Sequence, residues 1–261
     1  DLLPDLYIGR VTPRTKEETR DVIEKILRYE QKKNFGPWRQ SLLMLAAPGS
    51  FVQDSEQLKD FVPTTKGYSV SRVYTDKNSA FYGTTAELLD FWNAGTSFVH
   101  FTGHGGGNIW ADEKLFTFDD VPLLQNNQLA FVTSFTCFTG YFDDPYQGGL
   151  NEAFVNKKEG GAIAAFGSTG LGWLRGDYYL ERALFSTLFE NGTRQLGPAI
   201  AEAKVTLLAD YPQLTDMVRL YNLLGDPACT LPLPQREIAL TARPGPLFPS
   251  PPLLGGAGVG G

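Results

Sequence analysis

Two histidines, His100 and His104, and two cysteines, Cys137 and Cys229, are the side chains of this sequence best suited to carry a proton or attack a carbonyl carbon near neutral pH. Both histidines fall in one stretch, "FVHFTGHGGGNIW". His100 alternates with apolar neighbours and reads as a packed strand histidine with a backbone partner. His104 comes where the β-branched and aromatic run stops and glycines begin, so its side chain is expected at a strand tip, free to reach a ligand. Cys137 occupies the same kind of position after "LAFVTSFT", whereas Cys229 in "GDPACTLPL" reads as inert packing. If the two strands are neighbours, about 4.8 Å apart, thiol and imidazole face each other. Such a pair is a nucleophile with its acid and base: Cys137 attacks a carbonyl and His104 protonates the leaving amine. Gly105, with its backbone uncovered, offers an N–H that can bind the oxyanion together with the N–H of Cys137.

Elements that would place these residues are legible along the chain. "LYIGR" reads as a short strand, followed by a helix capped by Thr15 with Glu18 and carrying an apolar stripe of Val22, Ile23, Ile26 and Leu27. Strands are expected at "SLLMLAA", "YSVSRVY", "SFVHFTG", "LAFVTSFT" and "GAIAAFGST". Between and after them, helices are expected at "DSEQLKDFV", "TTAELLDFWNAG" with a second capping box at Thr84 and Glu87, "FDDVPLLQNN", "GLNEAFVNKKEG", "DYYLERALFSTLFENG", "GPAIAEAKVTLLADY" and "TDMVRLYNLL". Strands apolar on both faces and alternating with helices predict an α/β fold with a mostly parallel sheet covered on both sides. In such a sheet ligands bind beyond the carboxyl ends of the strands, where His104 and Cys137 stand. One domain is expected over residues 1–235, with a Pro/Gly-rich, largely disordered tail over 236–261. Because the chain enters a strand at once, it reads as a piece whose domain begins further upstream.

Composition narrows the function. A net charge of −6 without a dense Lys/Arg cluster argues against nucleic acid as a partner. No apolar run approaches the roughly 20 residues needed to span a bilayer. Two cysteines and one accessible histidine cannot fill a four-ligand zinc site, so no metal site is expected. "GHGGG" lacks the Lys and Ser/Thr of a phosphate loop. A lipase-like use of "HGGG" fails because no G-x-S-x-G elbow, and no later histidine, follows.

Four blocks in order, "LYIGR" with "TKEETRDVIEKILRYE", "FTGHGGGNIW", "TSFTCFTGYFDDP" with "GLNEAFVNKKEGGAIAAFGSTG", and "YNLLGDPACTLPLP", resemble the gingipain family of cysteine endopeptidases. The resemblance implies a caspase-like, three-layer sandwich with about six strands. It also implies His104 as general acid/base, Cys137 as the thioester-forming nucleophile, and Gly105 and Cys137 as oxyanion donors. Protein or peptide substrates, no catalytic cofactor, a structural calcium ion, and a secreted or cell-surface location are further implications. In the Arg-specific members a glutamate just after the strand that resembles "SLLMLAA" orients the histidine; Ala47, Pro48 and Gly49 stand there, so a dyad is expected. The P1 pocket is expected to use Asp54, Ser168, Thr169 and Trp173, with Asp54 holding an arginine and Trp173 walling its stem. For Asp54 the alternative is an ordinary helix N-terminal residue. For the chain as a whole, the alternatives are a sortase-like transpeptidase of a secretion system and a catalytically silent binding module of the same fold.

Overall fold

The computed structural model describes residues 5–31, 35–144 and 146–234. The expected tail therefore lies outside the described residues. In chain order the elements are α1 (Lys16–Glu30), β1 (Ser41–Ala46), α2 (Ser50–Lys59), β2 (Ser69–Tyr74), α3 (Thr85–Ala94), β3 (Phe98–Thr102), β4 (Gly105–Gly106), β5 (Ile109–Trp110), β6 (Phe116–Thr117), β7 (Ala130–Phe135), α4 (Leu150–Asn156), β8 (Ala162–Ser168), α5 (Leu174–Phe185), α6 (Leu196–Asp210), α7 (Thr215–Leu220) and β9 (Tyr221–Leu224). Six strands form one sheet in the order β2-β1-β3-β7-β8-β9, parallel except for β9 at the edge.

Alternate residues of the sheet feed two apolar layers. Leu42, Met44, Phe98 and Phe131 face one way and meet Leu180 and Leu184 of α5 and Ile200 of α6. Leu43, Leu45, Val99 and Val132 face the other way, toward Trp92 of α3 and Phe154 of α4. Burial on both faces is why these strands read as continuous apolar runs. The caps hold as the spacing predicts: Thr15 Oγ1 accepts the Glu18 N–H at 3.1 Å, and Thr84 forms the reciprocal box with Glu87. Of the α1 stripe only Val22 is fully buried, while Ile23 and Leu27 face outward.

Several elements differ from expectation. "LYIGR" is not a strand: only Arg10 bridges to Leu224, and Leu6, Tyr7 and Ile8 lie exposed. The helix expected from Asp54 starts earlier, at Ser50, capped by Gly49 at φ 83°, a conformation glycine adopts without steric cost. "FDDVPLLQNN" forms only a 3-10 turn over Phe118–Leu123, with Pro122 inside it and unable to donate an N–H. "TDMVRLYNLL" splits into α7 and the antiparallel strand β9. A three-stranded hairpin layer, β4-β5-β6, follows His104 directly.

Candidate active site

β3 and β7 are neighbours in the middle of the sheet, and Thr102 lies opposite Phe135 in their register. His104 and Cys137 each stand two residues beyond that pair, at the same level on adjacent strand tips. The tips are tied together: the Gly103 N–H donates to the Phe135 carbonyl at 3.2 Å, and the Ala47 N–H at the end of β1 donates to the Thr102 carbonyl at 3.0 Å. His104 is exposed and Cys137 half-buried, so both are open to a substrate.

The glycines after His104 have a geometric reason. A Cβ on Gly105 would lie 2.7 Å from Thr136 Oγ1 and 2.6 Å from the Ile109 carbonyl oxygen, so only glycine lets the His104 loop close against the residue before Cys137. Across the β4-β5 hairpin the Ala111 N–H donates to the His104 carbonyl at 2.9 Å, while Gly105 faces Trp110. In an antiparallel ladder that makes Gly105 the non-bonded member of the alternation, with its N–H turned out of the hairpin. After Cys137 the chain turns at Phe138, whose φ of 60° is costly for a bulky side chain and is the kind of strain that gathers at functional sites. The Cys137 Sγ accepts the Gly172 N–H at 3.3 Å, which brings the segment between β8 and α5 against the Cys137 side chain.

The expected P1 residues are distributed around that segment. The Ser168 hydroxyl donates to the Gly170 carbonyl and the Thr169 hydroxyl to the Leu220 carbonyl, so both side chains brace the segment. Its backbone is tied down as well, with the Ser168 carbonyl accepting from the Gly140 N–H and the Thr169 N–H donating to the Leu220 carbonyl. Trp173 is 65% exposed just before α5. Asp54 sits in the second turn of α2, which removes the helix-cap alternative; burial raises its pKa and the charge of Arg175 opposes the rise. Two further carboxyls, neither given a role by the sequence, lie on α5. Asp177 is 8% exposed, lies 2.5 Å from where a Gly172 Cβ would be, and accepts from the Tyr221 hydroxyl at 2.7 Å. Burial pushes it up to about 6. Glu181, one turn further along α5, is fully buried and raised well above the usual carboxylate range by desolvation.

His100 is buried as expected, but its partner is a side chain: Nδ1 lies 2.8 Å from Thr133 Oγ1. Desolvation lowers it to about 3. Its Nε2 stands 3.7 Å from Glu181 Oε1, yet with an imidazole held neutral and a carboxyl held protonated this is a contact of two uncharged groups and no ion pair. Cys229 is buried and its thiol is pushed up to about 12, first by desolvation and then by Asp226 and Glu30. Those three residues are the one group of potential metal ligands gathered among the described residues. A thiol and two carboxylates do not suit calcium, which takes about six to eight oxygens.

A family profile described as "Peptidase family C25" matches residues 1–232. The chain belongs to peptidase family C25. Lys-gingipain W83 of Porphyromonas gingivalis is 27% identical over 184 residues, 69% of this chain and 10% of that protein. Gingipain R2 of the same species, strain ATCC 33277, is 25% identical over 247 residues, 86% of this chain and 32% of that protein. Among solved structures, the Arg-specific cysteine proteinase gingipain R superposes at a TM-score of 0.78 with 22% identity, covering 88% of this chain and 56% of that one. The Saccharomyces cerevisiae separase–securin complex matches at 0.58 with 13% identity, over 85% of this chain and 14% of that one. This C25 chain thus has the caspase-like fold, and it spans about a tenth of the length of the Lys-gingipain it matches. No helix among the described residues is long and apolar enough to cross a membrane.

Proposed function

We propose that the chain is a cysteine endopeptidase unit in which Cys137 is the nucleophile and His104 the general acid/base. The observation that carries the reading is the register of β3 against β7, which sets both residues two positions beyond one strand pair at the open end of the sheet. His104 takes the thiol proton as Sγ bonds to the carbonyl carbon, and the oxyanion that forms is held by the N–H groups of Gly105 and Cys137. Collapse breaks the C–N bond, and His104 returns its proton to the leaving amine. Water, deprotonated by His104, then cleaves the thioester. Both reacting groups come from the protein, so the chemistry requires no cofactor. A secreted or cell-surface location is carried over from the family resemblance.

For the P1 residue we favour a basic side chain, received between α2 and the start of α5. Asp54 supplies a carboxylate from one side, Trp173 covers the aliphatic stem, and Ser168 and Thr169 brace the segment at the edge of the cleft. The test is covalent labelling with a peptidyl chloromethyl ketone carrying P1 arginine. Cys137 is expected to carry the label, and Cys137→Ala to lose both labelling and turnover. Labelling confined to Cys229, or turnover that survives Cys137→Ala, overturns the reading.

A further inference from the structure

Acid/base catalysis by His104 requires that one ring nitrogen face Cys137, yet the second torsion of a histidine is broad and does not hold the ring by itself. In many nucleophilic sites a hydrogen-bonded third group fixes the imidazole. Here Ala47, Pro48 and Gly49 follow β1, and no side chain among the described residues hydrogen-bonds the His104 ring. What the ring meets is Phe51: the two centroids are 5.1 Å apart and the planes are inclined at 83°, an edge-to-face pair.

Phe51 is itself held. It is 8% exposed, it packs in the same apolar layer as Leu45, Ala47 and Phe101, and it lies in the first turn of α2. Gly49 at φ 83° turns the chain out of β1 so that this turn arrives beside the end of β3. The approach is close, since a Cβ on Gly103 would lie 2.5 Å from the Ala47 Cβ. A rigid ring thus meets the imidazole at a right angle from a helix anchored in the core.

We propose that Phe51 is the positioning residue of His104, fixing the plane of the imidazole by an edge-to-face contact where a hydrogen-bonding group is absent. The proposal rests on the thiol–imidazole reading of the site, and it makes the orienter apolar. An apolar orienter restricts rotation without placing a charge beside the ring, so removing it frees the imidazole and leaves the protein's charge unchanged.

The chain's two histidines make the test direct. His100 is buried against Thr133, so in a proton–nitrogen spectrum of the imidazoles its signals serve as an internal reference. Phe51→Leu is expected to move the His104 ring signals by removing the ring current, to leave those of His100 in place, and to lower kcat about three- to tenfold with KM little changed. Phe51→Tyr, which keeps the aromatic edge, is expected to restore both. If Phe51→Leu does not fold, Phe51→Met gives the same comparison. Unmoved His104 signals, or a kcat within twofold of the parent in a folded Leu or Met variant, overturn the proposal. The spectrum is read without peptide turnover, so an active Cys137→Ala variant sinks the peptidase reading and leaves the ring contact to be judged separately.

Discussion

At the scale of single residues, α2 and the start of α5 carry carboxyls of unlike character. Asp54 is partly open and shares its field with Arg175, whereas Asp177 lies nearly out of solvent behind Gly172 with a phenol hydroxyl as its donor. A cationic P1 side chain gains only from an ionised partner. If Asp177 takes part, KM for a P1-arginine peptide falls as pH rises through about 6, and Asp177→Asn removes that pH dependence. If Asp54 alone reads the cation, Asp54→Asn loses the arginine preference and Asp177→Asn keeps the parental profile, so KM profiles of the two variants from pH 5 to 8 decide between them. A preference for small or acidic P1 residues excludes both roles. Asp177 also carries a stability consequence. Its folded pKa of about 6 lies above the unfolded value of 3.8, so the stability it contributes is present below about pH 4 and is lost as pH rises through 6. Asp177→Asn is therefore expected to stabilise the fold at pH 8 by about 2–3 kcal/mol and to change little at pH 3.5, by denaturant titration.

At the scale of elements, α1 is attached to α4 through a buried lysine. Lys25 donates from Nζ to the Val155 carbonyl at 2.6 Å and the Lys157 carbonyl at 2.8 Å, which satisfies acceptors that the end of α4 leaves without helical partners. Desolvation, with Arg28 and Lys157 nearby, lowers it to about 7. A depressed lysine contributes stability above its unfolded value of 10.5 and loses it as pH falls through 7. Lys25→Met at pH 9 thus exposes the cost of two orphaned carbonyls, roughly 2 kcal/mol, and the gap to the parent narrows toward pH 6. An equal loss at both pH values means that burial does not shift the amine. How far the elements were legible follows from the same physics. His104 and Cys137 stood out because an apolar run gives way there to glycine or to a turn, and Thr15 and Thr84 because caps are local. The start of α2 was hidden because Gly49 caps it without a side chain, and β9 because "YNLL" continues the apolar pattern of α7. Strands of two residues, as in β4 to β6, are too short to show a period. Phe51, Asp177 and Glu181 carry no sequence signal of their surroundings; only the packing of α2 beside His104 and of α5 against His100 of β3 and Tyr221 of β9 reveals them.

At the scale of the molecule, the sheet order assigns each half of the candidate dyad to a different crossover. His100 and Thr133, paired across β3 and β7, are 33 positions apart, and the hairpin layer β4 to β6 is threaded between them. Parallel pairings of this kind close long loops before they return any contact energy, which makes them slow to form. Thiol reactivity and peptide cleavage are therefore expected to return together in the slowest refolding phase after dilution from denaturant, well behind helix content followed by circular dichroism. Cleavage that returns with the helices contradicts this order. For the proposed peptidase, the register that sets His104 level with Cys137 then also acts as a timer: a newly made chain, exposed and cleavable while its strands are still apart, does not yet possess the means to cut itself.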